Sequence, residues 1–343
     1  MRFMLEDSIF VKDMVCTAGS SIQSGFRAPF SATVYERCIA AGFDFCGHVV
    51  SDEFGVDKLF DGDDELAAPI EALRSGACDI VLCNGVFGKL TRQAPENGLI
   101  YIHPSYGSVS RHGLTPSVSS MDQIGVLCRN ISDGAEAFSV IAGYDERDPV
   151  SLEGIGMGMG IGMGMGMPDG GEGSHEPASV HEVGDPNDLE FFGVLAPVFY
   201  LLASAELCCN TNRYVGVGFG ARVDANSVNG IYIKTRSKGF GRDIKLASMV
   251  GSMVLSEGFY DEAYYKSMQI RGLVKKSYDG LLSQYGALMI PSRLDGVGKY
   301  RQLSLYALAA LCGYASVSFM AGKSAVQLIT AQGREKTVFK HVF

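Results

Sequence analysis

The chain has 343 residues, 47% of them hydrophobic and 20% charged, so it can bury one large core or two moderate ones. A net charge of -9 disfavours direct nucleic-acid binding, because neutralising phosphates needs clustered Lys and Arg. The apolar runs are interrupted by charged residues or frequent Gly, and the N-terminal residues are acidic where a signal peptide needs an apolar core, so neither membrane spanning nor secretion is expected. The nine cysteines form no CxxC pair, which indicates reduced core thiols in a cytoplasmic protein.

Helical and strand patterns alternate in the first part of the chain. Ser31 is positioned to cap a helix, and residues 43–50 then have the composition of a buried strand. Residues 67–76 are helical in pattern and residues 78–83 again resemble a strand. Ser132 is positioned to cap a further helix that ends at Gly143. This alternation predicts a wound α/β sheet with crossover helices.

Residues 151–187 have a different composition. They include a run of alternating Gly with Met or Ile at 154–167, whose backbone entropy disfavours both helix and strand and predicts a flexible linker. Its methionines and His175 could offer ligands to Cu(I), but compositional drift explains them more simply. No cofactor or metal is expected. The linker separates an N-terminal block, residues 1–150, from a C-terminal block, residues 188–343.

The C-terminal block has mostly helical patterns. Residues 191–214 form a long apolar helix pattern, and residues 240–286 predict two more helices. Residues 286–291 and 314–319 have strand patterns, and the segment between them, 300–312, is helical in pattern. These strands are expected to return to the sheet of the first block.

Several segments of the chain carry a resemblance to a known family. They are PSYGSVSRHGLTPSVSSMDQIGVLCRN at 104–130, LLASAELCCNTNRYVGVGFGAR at 201–222 and VLSEGFYDEAYYKSMQIRGLVKKSYD at 254–279. Together they resemble the amidase-signature family, and within it the glutaminase A subunits (GatA) of tRNA-dependent amidotransferases. The resemblance implies the amidase-signature α/β/α architecture, a mixed sheet flanked by helices, shortened at the N-terminus, at the catalytic loop and in the middle.

The resemblance also implies a catalytic triad of Ser, a bridging serine and Lys. In the family an apolar strand delivers the lysine and an Asp follows it, and SIFVKD assigns this position to Lys12. The chemistry needs this lysine buried, so that its pKa falls and it can act as a base. Lys12 is therefore the candidate vestigial triad lysine. A surface lysine at a strand end is the simpler alternative.

The two serines have no counterparts in this chain. An acidic segment with Asp61, Asp63, Asp64 and Glu65 replaces the serine-rich loop, and its simplest interpretation is a solvated loop. The nucleophile turn aligns on residues 88–93, with Leu90 at or beside the nucleophile position. Thr91 is the hydroxyl within reach of that turn. Catalytic impairment is the expectation, and an active enzyme that uses Lys12 with a displaced nucleophile, Thr91 or Cys83, is the alternative.

The resemblance assigns substrate binding to four residues, Arg92, Gln93, Tyr214 and Arg271. Arg271 would pair with the carboxylate of a substrate amino acid. No carboxylate stands near Gln302, where the family holds the α-amino group. The alternatives are a packed tyrosine at Tyr214 and a helix-surface arginine at Arg271.

The resulting hypothesis is a GatA-like protein that binds or assembles without hydrolysing amides. The lineage chemistry is glutamine amide hydrolysis that feeds tRNA-dependent amidotransfer. The resemblance implies GatB-like or GatC-like partner subunits, or a homo-oligomer. Shortening should uncover apolar faces, and docking is expected through residues 191–207.

Overall fold

The computed structural model describes residues 1–57, 65–153 and 179–342 of the chain. These residues form a nine-stranded mixed sheet with helices on both faces. The strands are β1 (Arg2–Glu6), β2 (Asp44–Val49), β3 (Ile80–Asn84), β4 (Ile100–His103), β5 (Ile124–Cys128), β6 (Val180–Glu182), β7 (Ala287–Pro291), β8 (Ala315–Ala321) and β9 (Ser324–Thr330). Their order is β2-β1-β3-β5-β4-β8-β9-β7-β6.

Ten α-helices flank this sheet. They are α1 (Thr33–Ala40), α2 (Ala68–Arg74), α3 (Lys89–Glu96), α4 (Ile131–Ile141), α5 (Phe192–Thr211), α6 (Val228–Gly239), α7 (Arg242–Val254), α8 (Lys266–Gln284), α9 (Lys299–Cys312) and α10 (Glu335–Val342). A π-helical turn, Tyr260–Tyr265, precedes α8. The predicted α/β class and flanked mixed sheet are thus confirmed.

The sheet is mixed because β1 pairs in parallel with β2 and β3, whereas β3 pairs antiparallel with β5. Successive residues of β3 lie on opposite faces of the sheet and pack into two different hydrophobic clusters. Ile80 and Leu82 pack on the side of α1 and α4, while Val81 and Cys83 pack on the side of α2 and α3. Both faces are apolar because both are covered, so the strand is a continuous hydrophobic run, as the sequence predicts.

The largest core cluster lies under α5, α7, α8 and α9. Contrary to the expectation from the sequence, α5 is long and apolar enough to span a membrane by length and composition alone, but 67% of its most apolar stretch is buried inside the protein. Leu195, Phe199 and Leu202 are fully or almost fully buried against neighbouring elements. α5 therefore has the contacts of a central core helix.

The approach of α7 to α5 depends on Gly251. A Cβ atom at this position would lie 2.2 Å from the carbonyl oxygen of Ser204 and 2.7 Å from Cβ of Cys208. Only a residue without a side chain permits this backbone contact. The close packing places α5 where it covers the sheet.

The burial of α5 corrects the expected docking region. Most of residues 191–207 lie inside the protein, since α7, α8 and α9 pack over them. Exposed large apolar side chains lie instead on the outer faces of α6, α7 and α8 and in the segment between α7 and α8, at Val228, Ile233, Met249, Met253, Phe259, Tyr265 and Leu273. The described helices thus keep most of α5 covered.

Two predicted helix caps are wrong. Ala32 precedes α1, and the Ser31 hydroxyl instead accepts a hydrogen bond from the backbone N-H of Lys12 at 3.0 Å. Asn130 caps α4 by accepting from the backbone N-H of Asp133 at 2.8 Å, and Ser132 lies inside the helix. At α1 the Ser31 hydroxyl has a different partner, the backbone of Lys12, and at α4 the neighbouring residue Asn130 takes the cap position.

Other expectations differ in extent. The strand predicted at 43–50, the helix at 191–214 and the strands at 286–291 and 314–319 are confirmed as β2, α5, β7 and β8. The N-terminal strand is β1, which ends before the apolar run 8–11 that was expected to form it. The Gly and Met run at 154–167 and His175 lie outside the described residues, as do Asp61, Asp63 and Asp64.

Strands from both blocks belong to this one sheet. The blocks meet where β4 pairs antiparallel with β8, through the registers of Tyr101 with Ser318 and Ile102 with Val317. The proposed division at residues 151–187 is therefore a division of the chain, while the described sheet is continuous across it.

Candidate functional site

A cavity of about 230 Å³ lies where the parallel strands β1 and β3 end. Glu6 is the last residue of β1, and Asn84 is the last residue of β3. The carboxyl ends of neighbouring parallel strands open on the same edge of a sheet, which is where ligands of wound α/β proteins bind. The position of this cavity makes it the candidate functional site.

Glu6 is the acidic residue at the base of the cavity. Only 6% of the residue is exposed, and its carboxylate Oε2 accepts a hydrogen bond from the backbone N-H of Asn84 at 2.8 Å. Asn84 is itself fixed, since its side-chain amide donates to Asp122 at 3.0 Å. The chain thus holds the Glu6 carboxyl rigidly at this edge of the sheet.

Burial raises the pKa of Glu6 from 4.5 to about 8. Removal from water is the largest cause, and the hydrogen bond from Asn84 and the charge of Lys89 oppose it. Asp52 and Asp7 raise the pKa further, because a second negative charge disfavours ionisation. The carboxyl of Glu6 is therefore largely protonated at neutral pH.

The turn between β3 and α3 forms one wall of the cavity. Gly88 precedes α3 with a φ of 75°, and a Cβ at this position would lie 2.0 Å from the ring of Tyr306. Glycine alone fits both the left-handed backbone and the close ring. Leu90 follows in the first turn of α3 and lines the cavity.

One ion pair lines the cavity, and a second lies in the adjoining part of α3. Lys89 Nζ lies 2.9 Å from Oδ2 of Asp52, and both residues line the cavity. Arg92 lies 3.6 Å from Asp57, and both of these side chains are buried. Burial raises the pKa of Asp57, while Arg92 opposes the increase. Lys89 is thus the lysine of this cavity, and sequence reasoning did not single it out.

Ser51 supplies the hydroxyl among the described residues that line the cavity. Its hydroxyl donates to Asp7 Oδ1 at 2.8 Å, and its backbone N-H donates to the same oxygen at 3.0 Å. Asp7 also accepts from Thr17 and from the backbone N-H of Gly19. This carboxylate ties three loops together, so the Ser51 hydroxyl is part of a structural network.

The structure does not bring the predicted catalytic residues together. Lys12 is exposed on a loop and is absent from the cavity lining, so it lacks the burial that a basic lysine requires. Thr91 is buried within α3 and does not line the cavity. Cys83 is buried on the α2 and α3 side of the sheet, and burial raises the pKa of its thiol well above the ordinary value.

The strand that enters the site is β1, and it delivers Glu6 followed by Asp7. This is the arrangement that the resemblance assigned to a lysine and an Asp. The assignment of Lys12 came from the similar pattern six residues later. The buried alternation of Phe3 and Leu5 could have revealed the strand in the sequence.

The four predicted substrate-binding residues have structural partners. Gln93 holds the start of α2, since its Oε1 accepts from the backbone N-H of Ala67 at 2.9 Å. Tyr214 packs against Phe54 with ring centroids 5.3 Å apart. Arg92 pairs with Asp57, as described above. None of these three side chains lines the cavity.

Arg271 lies away from the cavity as well. Its Nε donates to the carbonyl oxygen of Leu311 at 2.6 Å, and its Nη1 donates to the Ser120 hydroxyl at 3.0 Å. Ser120 also donates from its hydroxyl to Glu206 at 2.6 Å. Arg271 thus joins α8 to the end of α9, and a role in substrate binding stays a prediction.

A second cavity, of about 440 Å³, lies beside Ser120 and Glu206. The two charged groups that line it already have partners: Glu206 accepts from the backbone and hydroxyl of Ser120, and Arg111 pairs with Asp148 at 3.1 Å.

Within the described parts of the chain, no group of three or more His, Cys, Asp or Glu could hold a metal ion.

A family model described as Amidase matches residues 94–155 and 179–338. The chain belongs to the amidase family. Relatives include the A subunit of the glutamyl-tRNA(Gln) amidotransferase of Lachnoclostridium phytofermentans, 31% identical over 84% of this chain and 66% of the relative. The corresponding protein of Campylobacter fetus is 30% identical over 88% of this chain and 74% of the relative. This amidase-family chain thus spans about two thirds to three quarters of those two relatives.

Solved amidase structures share its fold. The glutamyl-tRNA(Gln) amidotransferase A subunit of Thermotoga maritima superposes with a TM-score of 0.68 and 19% identity, over 99% of this chain and 81% of that one. The peptide amidase of Stenotrophomonas maltophilia superposes with a TM-score of 0.71 and 19% sequence identity, over 100% of this chain and 81% of that one. The expected amidase-signature architecture is therefore confirmed.

Proposed function

We propose that this amidase-family chain is a binding or assembly paralogue of the amidotransferase A subunits and does not hydrolyse amides. Its relatives are described as subunits of an amidotransferase that acts on glutamyl-tRNA(Gln), so the lineage chemistry is amide chemistry on glutamine. The free, mostly buried cysteines support a reducing, cytoplasmic location.

The observation that carries this proposal is the composition of the cavity. An amidase of this family needs a lysine that accepts a proton and serines that relay it and attack the amide. The cavity has the acid Glu6 at the end of β1 and the apolar Leu90 in the nucleophile turn. A largely protonated carboxyl at Glu6 cannot serve as the strong base of such a relay.

The remaining polar groups do not replace the relay. Lys89 donates from Nζ to both carboxylate oxygens of Asp52, at 3.2 Å and 2.9 Å, so this ammonium is already engaged in an ion pair. The Ser51 hydroxyl donates to Asp7, a carboxylate that already accepts hydrogen bonds from two other residues. The described cavity therefore supports binding better than it supports acyl transfer.

The purified protein is expected to release no ammonia from glutamine or asparagine above a buffer blank. Loss of a member of a catalytic relay removes several orders of magnitude in rate, on the order of 10⁴ or more. A coupled assay for ammonia, run at about micromolar enzyme for hours, checks this.

Ser51→Ala and Thr91→Ala are the diagnostic variants for that assay. Ammonia release by the unmodified protein that either variant abolishes would contradict the proposal, because it would identify a working hydroxyl nucleophile. Lys12→Ala serves as a surface control, since Lys12 is exposed and outside the cavity.

We also propose that the chain works within an assembly, either a homo-oligomer or a heteromer with subunits of the GatB or GatC type. Large apolar side chains are exposed on α6 and α7, with Ile233 67% and Met249 70% accessible. A monomer seldom leaves an apolar patch of more than a few hundred Å² open to water, as a rough guide.

Light scattering of the purified protein should therefore give a mass above the 36.7 kDa of one chain. Met249→Lys, in α7, should lower that mass, because a charge in an apolar contact is costly to desolvate. The control is Lys276→Met on α8, which makes the reverse exchange of lysine for methionine. A monomer at about micromolar concentration, with no partner purified from the native host, would refute assembly.

A further inference from the structure

The Glu6 carboxyl is buried and rigid, and one of its two oxygens has a hydrogen-bond partner among the described residues. Its Oε2 accepts the hydrogen bond from Asn84, whereas Oε1 has no hydrogen-bond or ion-pair partner among the described residues. The same side chain lines the cavity. Buried polar atoms normally have partners, so this open oxygen at the base of a cavity, an acceptor once Glu6 is ionised, indicates a place for a ligand atom.

The charges around Glu6 define what that atom should be. Lys89 and Asp52, which both line the cavity, neutralise each other at 2.9 Å. Ionised Glu6 adds one negative charge that this pair leaves uncompensated. A ligand with a single positive charge would neutralise it and supply the missing hydrogen-bond donor.

The shape and walls of the cavity limit the rest of the ligand. Its volume of about 230 Å³ lies below the usual range for drug-sized ligands, so the molecule must be small. About half of the wall is apolar, with side chains from Val50, Leu66, Pro69, Phe87 and Leu90. A short hydrocarbon chain would be buried against these side chains.

We propose that this cavity binds a small primary ammonium ion with a short apolar chain, and that the Glu6 carboxylate is its counter-ion. The inference rests on the proposed function in one respect, namely that the cavity binds a molecule without reacting with it. The second cavity carries no such inference, because both carboxylate oxygens of Glu206 already accept hydrogen bonds.

The affinity should depend on pH. The ammonium pairs with ionised Glu6, and the pKa of Glu6 is raised to about 8, so affinity should increase with pH up to that value and then level off. Below this pKa the increase is at most about tenfold per pH unit. The other titratable groups that act on Glu6 are Asp7, Asp52, Lys89, Cys83 and Tyr101, and Glu65 is a further carboxylate that lines the same cavity.

Isothermal titration of the full chain with n-butylammonium chloride at about pH 8.5 tests the proposal. Saturable binding is expected, with n-butanol and sodium butyrate at least about tenfold weaker, because they lack the positive charge. Equal binding of n-butanol would overturn the role of charge, and no saturation by about 50 mM n-butylammonium would overturn the site.

Two variants assign the binding to Glu6. Glu6→Gln should weaken n-butylammonium binding by about tenfold or more, because it removes the counter-ion. Glu335→Gln is the matched control, since Glu335 is another buried glutamate that accepts one backbone N-H, from Ser105, and it lies outside the cavity. Equal affinity of Glu6→Gln and wild type would refute the assignment.

The comparison of butylammonium with butanol keeps the proposal testable if Glu6→Gln does not fold. The test of ammonium binding and the test of the proposed function can also fail independently of each other. Ammonia release from glutamine would refute the loss of catalysis, while ammonium binding that depends on Glu6 would still identify the ligand class of the cavity.

Discussion

Glu6→Gln is expected to stabilise the protein at pH 8 and above, and to change its stability much less at pH 5. The folded state raises the pKa of Glu6 from 4.5 to about 8 and so binds this proton more tightly than the unfolded chain does. Stability from this group is therefore fully present below about pH 4.5 and is lost as the pH rises toward 8. The uncharged amide escapes this loss and can still accept from Asn84.

The size of this change in stability follows from the shift in the pKa of Glu6. One pKa unit corresponds to about 1.4 kcal/mol, so the loss across this pH range is at most about 5 kcal/mol. Urea unfolding of wild type and Glu6→Gln at several pH values measures it directly. The two stability curves should diverge between about pH 5 and pH 8 and run in parallel above that.

Glu335→Gln controls for the exchange of a buried carboxyl for an amide. The same pH-dependent divergence in this variant would show that the effect does not belong to Glu6. Parallel curves for wild type and Glu6→Gln across the whole range would show that Glu6 ionises as readily in the folded protein as in the unfolded chain.

Gly251→Ala is expected to destabilise the protein strongly. The new methyl group would lie 2.2 Å from the carbonyl oxygen of Ser204, which belongs to the backbone of α5 and cannot rotate away. The two helices must separate, and overpacking of this kind costs about 1–3 kcal/mol, or more where the backbone is rigid. Thermal unfolding should show a melting temperature several degrees below that of wild type.

Gly272→Ala is the matched control for this substitution. Gly272 lies within α8, and a Cβ there meets no atom within 4 Å. Alanine should stabilise that helix by roughly 0.5–1 kcal/mol, because it limits the unfolded chain more than glycine does. A loss of stability in both variants, or in neither, would contradict the argument from the contact of α5 with α7.

Much of the fold could be predicted from local patterns. The apolar runs of β3 and α5 are long enough that burial on all sides is their simplest explanation, and the structure buries both. The first strand was misplaced because two neighbouring segments each combine apolar residues with a charged residue and an Asp. The choice between Glu6 and Lys12 depends on which segment pairs with β2 and β3, and local sequence does not specify this pairing.

The site was harder to predict than the fold. The family resemblance assigned a nucleophile turn to residues 88–93, and Gly88 and Leu90 of that turn line the cavity. It could not reveal the ion pair of Lys89 with Asp52, because those residues are distant in sequence and meet only through the fold. The start of α1 was missed for a similar reason, since the Ser31 hydroxyl binds the backbone of Lys12 and not that of its own helix.

The pairing of β4 with β8 has a consequence for synthesis of the chain. β4 ends at His103, and its partner strand begins at Ala315, so the ribosome must add about 210 residues between the two. At roughly 5–20 residues per second, this takes on the order of 10–40 s. During that interval β5 can pair with one edge of the apolar strand β4, IYIH, while the edge that β8 will cover stays open. An unpaired edge of this kind is a template for aggregation, so the strand order leaves the nascent N-terminal block with an aggregation-prone edge until β8 is made.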